Sequence, residues 1–127
     1  MLLEVMVSLI IATLVIMSGL SLLMTASSGI DLALQNTIAA NAARQVVENV
    51  RFYKGQTVPV GTYMDAQQFG AIPQLSNLNN GAASVYVVSW RPQVVQVAVT
   101  VRWNSGGRSL ARSKTLSTLV TNDGVTP

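Results

Sequence analysis

Residues 5–30 read VMVSLIIATLVIMSGLSLLMTASSGI, an apolar stretch without a single Asp, Glu, Lys or Arg. About 20 such residues are enough for a helix to cross a lipid bilayer. A helix that is apolar on every side is typical of one buried in lipid or in a helical bundle. The stretch therefore predicts a helix that is surrounded by a membrane or by other subunits.

Glu4 stands directly before this stretch and is the only charged residue among the first 30. A carboxylate at the edge of a membrane segment is costly to insert, so it is a functional candidate by default. A second interpretation is an interfacial acid at a helix start, where the helix dipole favours negative charge. A plain single-span anchor would explain the apolar stretch, but an anchor needs no acid at this position.

The helical pattern continues over residues 31–54, where it becomes amphipathic. The apolar positions recur at spacings of three and four residues: Leu32, Ala39, Ala43, Val46, Val50 and Tyr53. The spacing allows ion pairs between Arg44 and Glu48 and between Glu48 and Arg51. A helix over residues 2–54 would be about 80 Å long, too long for a domain of this size to cover, so its N-terminal half is expected to project into lipid or other subunits.

From residue 84 to residue 121 the apolar period changes to two, which predicts strands. One face of the clearest strand is formed by Val95, Val97, Val99, Val101 and Trp103. This alternation makes Trp103 a core residue. A weaker strand over residues 109–120 carries Leu110, Leu116 and Val120 on one parity.

The remaining segments predict irregular structure. Residues 55–83 are rich in Gly, Pro and Asn, a composition that predicts a loop. A helical turn is predicted within it at residues 65–69. Residues 122–127 predict a polar surface tail. The fold class is α+β: a long N-terminal helix with an apolar half (1–30) and an amphipathic half (31–54), the latter packed on an antiparallel sheet of three to four strands (84–121).

The composition argues against an enzyme. The 127 residues include no His and no Cys, so the commonest general base, the commonest metal ligand and thiolate chemistry are all missing. The five acids are too scattered for a calcium site, whose ligands are usually closely spaced. We therefore predict no catalytic residue, no metal site and no cofactor.

The net charge of +3 is concentrated after residue 30. A candidate surface- or DNA-binding set comprises Arg91, Arg102, Arg108, Arg112 and Lys114. In this interpretation Trp90 and Trp103 would stack on bases, whereas the strand alternation favours Trp103 as a core residue. The alternative is scattered surface charge that serves solubility.

Two segments resemble a known family. LLEVMVSLIIATLVI (2–16) resembles the N-terminal methylation motif of type IV pilins and pseudopilins. VTVRWNSGGRSLARSKTLSTL (99–119) resembles the last hairpin of PilV-like minor pilins. The long helix followed by a loop and an antiparallel sheet is similar to the architecture of the same superfamily.

The resemblance implies a structural subunit of an extracellular type IV pilus, with adhesion, motility, DNA uptake and secretion as open roles. A prepilin peptidase would remove a short basic leader, after which the new N-terminal amine is methylated. The subunit would wait in the inner membrane until the pilus assembly machinery adds it to a helical homo-oligomer. Met1 and Glu4 become the subunit-assembly residues, because the family glutamate pairs with the amine of a neighbouring subunit.

Two alternatives accompany this expectation. Within the same class, the chain would be a minor pilin or a pseudopilin of type II secretion. In another class, it would be a membrane-anchored module that binds DNA or surfaces.

The sequence departs from the family pattern at two points. The family glutamate is normally fifth in the mature chain, whereas here it is fourth, so either one residue precedes Met1 or the cleavage site is shifted. Major pilins often carry a helix-breaking proline near the end of the membrane half. Here Ser18, Gly19 and Ser21 are the candidates for local helix flexibility.

Overall fold

The protein consists of one long helix followed by a four-stranded antiparallel sheet, in a computed structural model that describes residues 1–52, 60–105 and 110–121. The α+β class predicted from the sequence is confirmed. Helix α1 spans Leu2–Phe52. The strands are β1 (Tyr63–Asp65), β2 (Ala82–Arg91), β3 (Val94–Ser105) and β4 (Leu110–Thr121), and they lie in the order β1-β2-β3-β4.

The chain divides into two compact units, Met1–Leu34 and Gln35–Pro127. The first unit is helical from Leu2 onward, and none of its residues is buried. The second unit contains the rest of α1, the sheet and the hydrophobic core. Every residue of that core lies between Ala39 and Trp103.

The core forms where one face of α1 meets one face of the sheet. The helix contributes small and β-branched side chains: Ala39, Ala42, Ala43, Val46, Val47 and Val50. The central strands contribute Val85 and Val87 from β2, and Val97, Val99, Val101 and Trp103 from β3. The alternation predicted for these strands is confirmed, including the buried position of Trp103.

Strand β4 differs from expectation in its burial. Register places Leu116 opposite Val99 and Val120 opposite Val95, so the predicted parity does face the helix side. Only Val120 packs against the core, whereas Leu110 and Leu116 are exposed. The reason is geometric: a helix about 10 Å wide covers roughly two strands spaced about 4.8 Å apart, and β4 is an edge strand.

The segment predicted as a loop over residues 55–83 carries structure of its own in its described part. It contributes β1 and two 3₁₀ helices, Ala66–Phe69 and Pro73–Asn77. The Asp65 carboxylate accepts a hydrogen bond from the Gln67 N–H at 3.0 Å and caps the first of them, at the turn predicted for residues 65–69. Six described residues of the segment enter the core: Ala66, Phe69, Ile72, Leu75, Leu78 and Ala83.

Three sequence predictions fall outside the described residues. These are the helix end at residues 53–54, the candidate basic residue Arg108, and the tail at residues 122–127. The turn between β2 and β3 is described, and it has two residues, Pro92 and Gln93. Gln93 has a φ of 72°, and Pro followed by a residue of positive φ is the pattern of a type II turn.

Candidate functional site

The first candidate site is the N-terminal end of α1. The Val5 N–H donates to the Met1 carbonyl at 3.3 Å, and the Ser8 hydroxyl donates to the Glu4 carbonyl at 2.8 Å. These bonds hold the first turns of backbone in helical form. A shallow concave surface lies alongside, and it is lined by Met1, Glu4, Val5, Ser8, Leu9 and Ala12.

The Glu4 carboxylate makes no hydrogen bond or ion pair within residues 1–52, 60–105 and 110–121. The amine of Met1, although close in sequence, does not form an ion pair with it. The chain therefore presents a carboxylate and an amine at one helix end without pairing them to each other. Such an end can accept a cationic group and offer one at the same time.

The surroundings of Glu4 are apolar and uncovered. Leu2 and Leu3 are about four-fifths exposed, at 80% and 78%. Large apolar side chains continue to Met24 and Ile30, all of them exposed. By length and composition α1 is able to cross a membrane, with a mean hydropathy of 2.4 over its best window and none of that window buried. Exposure of this kind on a helix is expected when lipid or other subunits cover it.

Most hydroxyl side chains within the apolar stretch are satisfied locally; among the described residues, those of Ser21 and Ser27 have no hydrogen-bond acceptor. The hydroxyls of Thr13, Ser18 and Ser28 each donate to the carbonyl three residues earlier, and that of Thr25 donates to the Ser21 carbonyl four residues earlier. A hydroxyl bonded in this way is compatible with an apolar medium, because no donor is left without an acceptor. The segment can therefore keep these bonded serines and threonines in lipid or in a helix bundle.

Ser18, Gly19 and Ser21, the candidates for helix flexibility, lie in the unbroken middle of α1. The Ser18 hydroxyl bonds to the Val15 carbonyl at 2.9 Å. Apart from its chain neighbours and the backbone of its own helical turns, a Cβ placed on Gly19 would meet no atom of the described residues within 4 Å. Packing within the chain thus imposes no requirement for glycine at position 19, and the proposed flexibility stays a prediction.

The candidate basic set is divided between different parts of the sheet. Arg102 pairs with Ser113 in register, whereas Arg112 pairs with Trp103 and Lys114 with Val101. Because neighbouring residues of a strand face opposite sides, Arg112 and Lys114 share the helix side and Arg102 occupies the other. Arg91 is exposed at the end of β2, and Arg108 lies outside the described residues.

A second concave site was not anticipated from the sequence. An open groove of about 210 Å³ is lined by Asn36, Thr37, Ala40, Asn41, Arg44 and Lys114. The first five share one side of α1 through their helical spacing, a signal that the sequence carries. The neighbouring Lys114 comes from β4, and only the tertiary structure brings it there.

Comparisons with protein-family models, with curated proteins and with solved structures find no match to this chain. Its functional interpretation therefore rests on the residues and geometry of these two sites.

Proposed function

We propose that this protein is the structural subunit of an extracellular type IV pilus filament, assembled by bundling of its N-terminal helices. The observation that carries the proposal is Glu4, a carboxylate without a partner in the described part of its own chain, on a helix whose apolar surface is uncovered. Before assembly the same helix holds the subunit in the inner membrane. In the filament, the apolar halves of many copies cover one another.

The pairing of charges explains why an acid is placed on this helix. An isolated carboxylate in an apolar medium is strongly penalised, and removing one partner of a buried ion pair costs about 3–5 kcal/mol. In a bundle of identical helices, the Glu4 carboxylate of one copy accepts the N-terminal amine of the next. This contact sets the axial register of adjacent subunits, since any other register leaves both charges unpaired.

The proposal is tested by Glu4→Ala and Glu4→Gln in cells that express the protein. Both variants insert into the membrane, because removal of a charge makes insertion easier. Neither forms filaments, since the neighbouring amine is left without its carboxylate. The readouts are the chain's abundance in the membrane fraction and electron microscopy of sheared surface filaments.

Ser8→Ala is the matched control, one helical turn from Glu4. The Ser8 hydroxyl is bonded to its own helix backbone, so its loss leaves assembly intact. Normal filaments from Glu4→Ala would contradict the proposal and favour a plain anchor. Mass spectrometry of the main filament band then distinguishes a principal pilin from a minor pilin or a pseudopilin. A principal subunit dominates the band and has a methylated N-terminus, whereas a minor pilin or a pseudopilin is a trace component.

A further inference from the structure

The groove between α1 and β4 concentrates positive charge without a described acid to balance it. Arg44 and Lys114 both line the groove. The only ion pair among the described residues joins Arg51 to Glu48 at 3.0 Å, so the acid four residues from Arg44 is engaged elsewhere. Two cations facing one space repel each other, and an anion between them relieves that repulsion.

A third cation adds to the positive potential on the same side of the sheet. Arg112 lies two residues from Lys114 in β4 and shares its face. Its Nε is buried and has no hydrogen-bond partner among the described residues. Arg112 does not itself line the groove, so it adds positive charge to this face of the sheet without being placed to contact a ligand in the groove.

The remaining lining residues indicate the form of the ligand. Asn36 and Asn41 each carry an amide that donates through Nδ2 and accepts through Oδ1. Donors suit the oxygens of an anion, and acceptors suit hydroxyl groups beside it. The volume of about 210 Å³ is below the 300–1,000 Å³ that is common for sites of drug-sized ligands. The part of a ligand that lies in this open groove is therefore one charged group with a small hydroxylated body.

We propose that this groove binds an oxyanion, a carboxylate or a phosphate group, carried on a ligand whose part in the groove is no larger than a single sugar ring. Arg44 and Lys114 bind the charged oxygens through charge-assisted hydrogen bonds, which are among the strongest available to side chains. Asn36 and Asn41 bind the adjoining oxygens or hydroxyls. The inference is independent of filament assembly, because every lining residue belongs to the unit Gln35–Pro127.

The test is a titration of the full-length protein in detergent micelles, followed by amide chemical shifts in NMR. The probes are inorganic phosphate and glucuronate, with glucose and sodium chloride as controls that lack the oxyanion. We expect saturable shifts at the helix positions that line the groove, with a dissociation constant on the order of 1 mM. If phosphate gives saturable shifts and glucuronate does not, the natural ligand carries a phosphate group. If glucuronate binds more tightly than phosphate, the natural ligand is an acidic sugar.

Matched charge-loss variants make the test specific. Arg44→Gln and Lys114→Gln each weaken binding about tenfold or more, because each removes a charge-assisted hydrogen bond. Arg102→Gln removes an equal charge from the opposite face of the sheet and leaves the affinity unchanged. All three side chains are exposed, so the variants keep the fold, which the dispersion of the same spectra reports.

Two results would overturn the proposal. One is the absence of saturable shifts with either oxyanion, or shifts that sodium chloride reproduces at equal ionic strength. The other is equal weakening by Arg102→Gln, which would reduce the effect to overall charge.

Discussion

The side chain of Trp103 links the sheet to the helix through a single hydrogen bond. Its ring is buried in the core, and its Nε1 donates to the Oε1 of Gln35 at 3.2 Å. A buried indole usually finds such an acceptor, because an unpaired donor away from water is costly. Gln35 is half-buried, so the bond is partly shielded from solvent.

Replacement of this acceptor tests the contribution of the bond. Gln35→Met keeps the length of the side chain but leaves the Trp103 donor unpaired, and we expect a loss of about 1–3 kcal/mol in the free energy of unfolding. Denaturant unfolding followed by tryptophan fluorescence measures it, with Trp90→Phe as the background so that Trp103 alone reports. The exposed Gln68→Met is the control, and a loss of stability there as large as at Gln35 would contradict the assignment.

Gly81 is the position where absence of a side chain matters most to the described loops. A Cβ there would lie 2.5 Å from the Leu75 carbonyl oxygen and 2.9 Å from the Leu78 Cβ. The Gly81 N–H also donates to the Leu78 carbonyl at 3.1 Å, directly before β2 begins. The close approach of backbone to backbone lets the second 3₁₀ helix pack beneath the sheet.

Gly81→Ala should therefore lower the free energy of unfolding of the unit Gln35–Pro127 by about 1–3 kcal/mol, as expected for overpacking against rigid backbone. The midpoint of thermal unfolding, followed by near-ultraviolet circular dichroism, gives the change. Gly29→Ala is the control: beyond its own helical turns its Cβ would meet no atom of the described residues within 4 Å, and alanine favours a helix over glycine by up to about 1 kcal/mol. Equal thermal midpoints for the two variants would contradict this prediction, because they would show that the loop around Gly81 rearranges to accommodate the added methyl group.

Among the elements, α1 changes character along its length. Its buried positions begin at Ala39 and continue to Val50, with alanine at three of the six. Small side chains let a helix backbone approach its neighbour closely, so the packing of this part of α1 on the sheet depends on their size. Most of the preceding positions are exposed and larger, as expected for a surface that external groups cover.

Enlargement of one buried alanine tests this difference within the helix. Ala42 is fully buried, and Ala42→Leu should destabilise the unit by about 1–3 kcal/mol because the core has no space for the added atoms. Chemical denaturation in detergent measures the loss. Ala26→Leu, at an exposed position of the same helix, should leave the folding of the sheet unchanged; a similar loss from both variants would place the effect in helix formation rather than in packing.

At the scale of the whole molecule, the hydrophobic core is confined to one of the two units. None of its residues precedes Ala39, and the large apolar residues before that point are exposed except for Leu32, which is half-buried, and Ile38, which packs against the core. The core is completed by side chains of the segment between α1 and β2 as well as by the helix and the sheet. Folding of the second unit therefore does not depend on burial of the first 30 residues.

A chain that begins at Asp31 should accordingly fold without detergent. Asp31 is a favourable residue at a helix N-terminus, and every core residue is retained. We expect a soluble monomer whose thermal midpoint lies near that of the full-length protein, measured by scanning calorimetry and by sedimentation. An aggregated or non-cooperative product would show that residues 1–30 support the core.

The sequence alone determined three features through the periodicity of its apolar residues. These are the apolar helix over residues 5–30, the alternation in β3 and the burial of Trp103. Local period reports which side of an element is apolar, because side-chain direction follows backbone geometry. It does not report how far a neighbouring element extends. Only the tertiary structure decided that β1 joins the sheet, that Ile72 and Leu75 enter the core, and that Leu116 stays exposed. The same limit applies to the groove, since Arg44 and Lys114 are 70 positions apart and meet only through the packing of α1 on the sheet.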